Sequence, residues 1–105
     1  MSETEFLRLS EEIFRRIENA LDAAGLDVDC VISGNVLEIE FDDGGKVVVN
    51  RHVPNQELWI AAKSGGFHFA CRDGQWIASR DGAEFGATLS QVVSTAASAA
   101  FSFSV

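Results

Sequence analysis

The sequence predicts an α+β protein, a two-layer sandwich whose N- and C-terminal helices pack on one face of a six-stranded antiparallel sheet. Three observations carry this. Apolar residues recur at helical steps only near the two ends of the chain. Between those ends they alternate with polar residues in short runs, and the runs are joined by turns too short to hold a crossover helix. At 105 residues, one domain spanning 1–105 with one modest core is expected.

The first helix is read from about Thr4 to Ala24, where Phe6, Leu9, Ile13, Ile17, Ala20 or Leu21, and Ala24 form a single stripe. Ser2 and Glu5 have capping-box spacing, and Gly25 suits a left-handed stop. Glu11 to Arg15 and Glu12 to Arg16 are Glu-first pairs four residues apart, read as an ordinary solvated face.

After Gly25 the period becomes two. A first strand should bury Val28, Cys30 and Ile32 and turn Asp27 and Asp29 outward. A second runs from Leu37 to Phe41, and Asp42-Asp43-Gly44-Gly45 turns the chain into a third, Lys46–Asn50. Gln56–Ala61, Phe67–Arg72 and Gln75–Ser79 follow, separated by Pro54-Asn55, Ser64-Gly65-Gly66 and Asp73-Gly74. The closing helix, about Phe85 to Ala99, is rich in Thr, Ser and Val and needs packing to hold it. Phe101, Phe103 and Val105 make a tail that is apolar at every second position, expected to lie against the layers.

Net charge is −8, and it is unevenly spread. The first 29 residues hold eight acids against three arginines, whereas residues 51–105 are balanced. An acidic half repels phosphate backbones, so nucleic-acid binding is not expected, while cations and basic protein surfaces are attracted. No apolar run is long enough to span a bilayer, and the acidic opening does not resemble a secretory signal, so a cytoplasmic protein is expected. Cys30 and Cys71 lack metal-ligand spacing and are read as two buried reduced thiols.

Catalysis has no visible team of residues, and an enzyme is not expected. His68 and Cys71 stand three apart on one strand and so on opposite faces, and His52 is read as a solvated loop residue. Two exposed features are left. Trp59 opposes Leu58 and Ile60, so burying those two leaves Trp59 on the open face of the sheet beside His68. Glu18 and Asp22 form a like-charge pair in the last turns of the first helix, where the macrodipole disfavours anions, and Asp27 and Asp29 continue the same sign. Carboxylates without His or Cys suit hard cations held weakly and exchangeably, in a loading surface with no closed cage.

The stretch Asn50-Arg51-His52-Val53-Pro54-Asn55-Gln56-Glu57-Leu58-Trp59-Ile60-Ala61, followed by Ser64-Gly65-Gly66-Phe67-His68-Phe69, resembles the central signature of the frataxin family. Glu5-Phe6, Asp29-Cys30, Gly34 to Phe41 and Asp73-Gly74-Gln75-Trp76-Ile77 extend the likeness over nearly the whole chain. The resemblance implies a frataxin-like fold and a monomer acting in iron–sulfur cluster assembly. It also implies weak, exchangeable binding of Fe²⁺ and Fe³⁺, and docking to the cysteine desulfurase and the scaffold protein, as regulator of the desulfurase, as iron donor, or both. By position, Glu18, Asp22, Asp27 and Asp29 are the metal candidates, with Glu11 and Glu12 peripheral. Trp59, Glu18, Asp22, Asn50 and His68 are the partner-binding candidates. Asn19, Ala23 and Ala24 stand where relatives often carry acids, and His52 and Glu57 where Gln is usual. The alternative is a protein-interaction module that docks a basic surface and binds metal incidentally. A ferroxidase is less supported, because no paired Glu-x-x-His constellation exists.

Overall fold

The computed structural model describes residues 1–105. Helix α1 spans Glu3–Ala23, strands β1 to β6 span Val28–Ser33, Val36–Phe41, Lys46–His52, Glu57–Ala62, Gly65–Arg72 and Gln75–Ile77, and helix α2 spans Phe85–Ala97. Neither helix is long and apolar enough to cross a membrane. The sheet is a pure meander, its strands lying in chain order and every neighbouring pair antiparallel.

Local signals set the ends of α1. Ser2 is the N-cap, its Oγ accepting the Glu5 backbone N–H at 3.1 Å, and Gly25 follows the helix at φ +67°, a conformation that penalises any residue with a Cβ. Phe6, Ile13, Phe14, Ile17 and Leu21 are buried along one stripe. They meet Leu37, Ile39, Val47, Val49, Leu58, Ile60 and Phe69 from the inner face of the sheet, and α2 adds Phe85, Leu89, Val92 and Val93.

The tail is built into the core. Phe101 and Phe103 are each 7% exposed, and the Phe103 ring meets Phe85 edge-on at 6.4 Å. Two serines of α2 fix its backbone: Ser90 Oγ accepts the Phe103 N–H at 2.8 Å and Ser94 Oγ accepts the Phe101 N–H at 2.9 Å. A methyl group at Gly86 would stand 2.8 Å from the Phe103 carbonyl oxygen, so the close passage of the tail over α2 requires glycine there.

Several expectations are corrected. The pair Glu12–Arg16 does not form; Arg16 donates to the Ser104 carbonyl at 2.8 Å and lies over the Phe103 ring, while Glu12 approaches Arg8 at 3.9 Å. Glu11–Arg15 does form, at 3.1 Å. Ile32 is 40% exposed although its register turns it toward the helices; it stands on the edge strand, beside an open groove that it shares with Glu11, Phe14 and Arg15 of α1. Strand β3 continues through His52, which is therefore not a solvated loop residue. Strand β6 stops at Ile77 and α2 at Ala97, each short of the end the pattern suggests.

Arg51 explains part of the longer β3. It follows Val49 on the inner face, where an unpaired guanidinium would be costly, and it spends its donors on the elements around it. Its Nε donates to Asn35 Oδ1 at 3.0 Å, its Nη1 reaches the Leu7 carbonyl at 3.4 Å and Ser10 Oγ at 3.5 Å, and the group lies over the Phe14 ring. This clamp joins α1 to the β1–β2 turn and satisfies Ser10, the one fully buried polar side chain.

Candidate functional site

Two surfaces gather the residues the sequence points to. The first lies where α1 ends and β1 begins. Glu18 and Asp22 are exposed near the end of α1, whose last turn carries no basic residue. Asp27 is exposed before β1, and Asp29 is turned outward on β1 directly across from Glu40 of β2. A shallow groove of about 250 Å³ is lined by Asp27, Asp29, Glu40 and Asp42, with Phe41 at its wall.

None of Glu18, Asp22, Asp27 or Asp29 is ion-paired. Lys46 faces Glu40 across the strands but its Nζ goes to Glu38 at 3.3 Å, so Glu40 is left free as well. Glu11 and Glu12 stand farther back on α1, each beside an arginine of the same helix. Glu18 and Asp22 do not line the groove, and nowhere do three His, Cys, Asp or Glu side chains converge as a preformed metal cage. What the chemistry allows at this end of the molecule is a spread of oxygen donors with negative potential, suited to hard cations in exchange or to a basic surface.

Glu40 and Asp42 are absent from the candidates drawn from sequence. Asp42 reads as turn chemistry and Glu40 as an outward strand residue. The signal was available in the hairpin: pairing β1 with β2 about a short turn puts Asp29 opposite Glu40, and the like charges then meet.

Cys30 lies behind this surface, half-buried, and Cys71 is likewise half-buried and free. Burial, with a smaller contribution from the Glu18 carboxylate, pushes the Cys30 thiol up to about 11. It is a protonated thiol at neutral pH, a poor nucleophile and a poor metal ligand.

The second surface is the open face of the sheet. Asn50, Trp59 and His68 form one row across β3, β4 and β5, each directly opposite the next. Trp59 does not stand free as its alternation suggests. Its indole is half-buried between two imidazoles, His52 with ring centroids 4.0 Å apart and planes at 7°, and His68 at 4.1 Å and 8°. The indole Nε1–H donates to Glu57 Oε1 at 2.8 Å. Stacking across neighbouring strands is possible because side chains of adjacent strands stand within aromatic reach on one face.

Comparison with known proteins agrees with this fold. A family model described as the frataxin-like domain matches residues 1–99. The iron–sulfur cluster assembly protein CyaY of Chromobacterium violaceum is 62% identical over 103 residues, 98% of each chain. The protein of that name from Neisseria meningitidis serogroup B is 55% identical over 96 residues, 91% of this chain and 90% of its own. Among solved structures, the frataxin of Psychromonas ingrahamii superposes with a TM-score of 0.91 at 30% identity, over the whole of both chains. A trimeric frataxin of the yeast Saccharomyces cerevisiae, in a ferrous complex, shares the fold, with a TM-score of 0.72 at 24% identity and 85% of each chain covered. With two helices on a six-stranded meander and relatives matching along nearly its full length, the chain belongs to the frataxin-like family.

Proposed function

We propose that this protein acts in the cytoplasm in iron–sulfur cluster assembly, without turnover of its own, binding iron as cargo and docking the cysteine desulfurase and its scaffold. The observation that carries the reading is the run of unpaired carboxylates at the α1–β1 end, Glu18, Asp22, Asp27 and Asp29, joined by Glu40 and Asp42. Their donor set fits iron held loosely and in exchange, since oxygen ligands suit hard cations and no closed cage restricts their number or geometry. The same field attracts a basic patch on a partner, and the Asn50–Trp59–His68 row offers an aromatic contact on the adjoining face. The role is that of a regulator of the desulfurase, an iron donor, or both, acting as a monomer.

Titrating Fe²⁺ anaerobically at physiological salt, while following backbone amide signals, tests the iron part. Broadening confined to residues near Glu18, Asp22, Asp27, Asp29, Glu40 and Asp42 is expected, with Glu11 and Glu12 affected less. Desulfurase turnover measured with and without this protein, at several iron concentrations, tests the regulatory part; a rate indifferent to the protein at every iron level would refute it. A second reading, an interaction module with incidental metal binding, is favoured by the lack of any three converging ligands. It predicts a desulfurase effect with no localised response to Fe²⁺.

A further inference from the structure

The geometry points to His52, His68 and Glu57 as positioning residues that hold Trp59 edge-on as a rigid anchor, so that the desulfurase–scaffold partner receives the rim of the indole and not its face. The inference rests on the docking reading above and specifies how the aromatic contact is made. Both π faces of Trp59 are already covered, by imidazoles at 4.0 and 4.1 Å and within 8° of parallel. Its only donor is already spent on Glu57, at 2.8 Å. A partner that stacked on the indole face, or accepted its N–H, would first have to dismantle these contacts. What the row leaves free is the outer edge of the ladder and the far face of His68, the one exposed member of the three.

His52 supplies the sharper argument. Its Nδ1 is buried with no hydrogen-bond partner, an arrangement that costs stability. Hydrogen bonding at that nitrogen does not hold the ring, and what it presents to Trp59 is its flat face. Its role is therefore to pack Trp59, and a flat hydrocarbon ring should do the same. Holding the indole in one orientation removes rotamer entropy before the partner arrives, which lowers the cost of ordering a large side chain in the complex.

The test uses the full chain with His52→Ala, His68→Ala, the double variant, the double His→Phe variant and Trp59→Ala. Two quantities are read: solvent exchange of the Trp59 Nε1–H by NMR in the free protein, and affinity for the desulfurase–scaffold complex. Each single Ala variant is expected to speed exchange and weaken binding by about threefold to tenfold, the double by more, and the double Phe variant to restore both. Unchanged exchange in the double Ala variant, or failure of Phe to restore it, overturns the inference. If Trp59→Ala binds like the unaltered protein, the docking reading fails, while the exchange measurement still decides whether the imidazoles position the indole. A double Ala variant with faster exchange and unaltered affinity, set beside a weakened Trp59→Ala, refutes the anchor and leaves the docking reading standing.

Discussion

Removing charge from the end of α1 should stabilise this protein. Glu18 and Asp22 lie four residues apart, both exposed, in a helix whose last turn carries no base, and neither has an ion-pair partner. Like charges at this spacing cost about 0.2–0.5 kcal/mol, and an anion beside the carbonyl end of a helix costs about 0.3–1 kcal/mol. Glu18 sits a turn farther from that end, so most of the dipole penalty falls on Asp22. The double variant Glu18→Gln, Asp22→Asn keeps side-chain shape while deleting both charges. At low ionic strength it should gain about 0.5–1.5 kcal/mol, or about 3–9 °C in Tm for a chain of this size. Thermal unfolding followed by circular dichroism measures the gain. Repeating it at about 1 M salt, where the screening length drops to about 3 Å, should abolish most of it. A lower Tm in the double variant would mean the carboxylates serve the fold, and a gain indifferent to salt would mean it is not electrostatic; either outcome refutes the reasoning that their charge destabilises the end of α1.

Other outcomes follow from the packing. Phe103→Ala should cost about 3–5 kcal/mol in urea unfolding, because it empties a core position shared by the tail and α2. Ser90→Ala leaves the Phe103 N–H without its acceptor and should cost about 1–3 kcal/mol by the same measurement. Gly86→Ala, normally favourable within a helix, should instead destabilise by about 1–3 kcal/mol, since its methyl group meets the Phe103 carbonyl. With the Cys30 thiol pushed up to about 11, the unfolded chain loses this proton first, so stability should fall as pH climbs from the ordinary thiol range toward that value. Glu18→Gln should make that fall smaller, and denaturant midpoints recorded for Cys71→Ser across the alkaline range would reveal it.

The architecture was legible because each element is locally consistent. Ser2 and Gly25 bracket α1, glycine-rich turns bracket most strands, and a strict alternation assigns each strand residue to a face. Partners that depend on distant segments were not legible. Arg16 leaves its helical neighbour for Ser104, and nothing within one turn of α1 reports that a carbonyl 88 residues away stands closer. Ile32 follows the alternation of β1 yet stays exposed, because period two gives the face of a strand and not how closely a helix packs over its edge. His52 reads as loop because Val53-Pro54 follows it, whereas the stack against Trp59 keeps it inside the strand. At the acidic end, the exposed anions of α1 and β1 could be picked out singly; that Asp29 shares its groove with Glu40 and Asp42 depends on strand register.

The contact between Arg16 and Ser104 has a bearing on how the chain is made. Synthesis runs from the N-terminus, so α1 leaves the ribosome with its apolar stripe uncovered before any strand exists to receive it. The meander can then zip by neighbouring hairpins, each needing only a short loop to close. The span from Arg16 to Ser104 cannot close until residues 101–105 have been translated, so this contact is among the last to form.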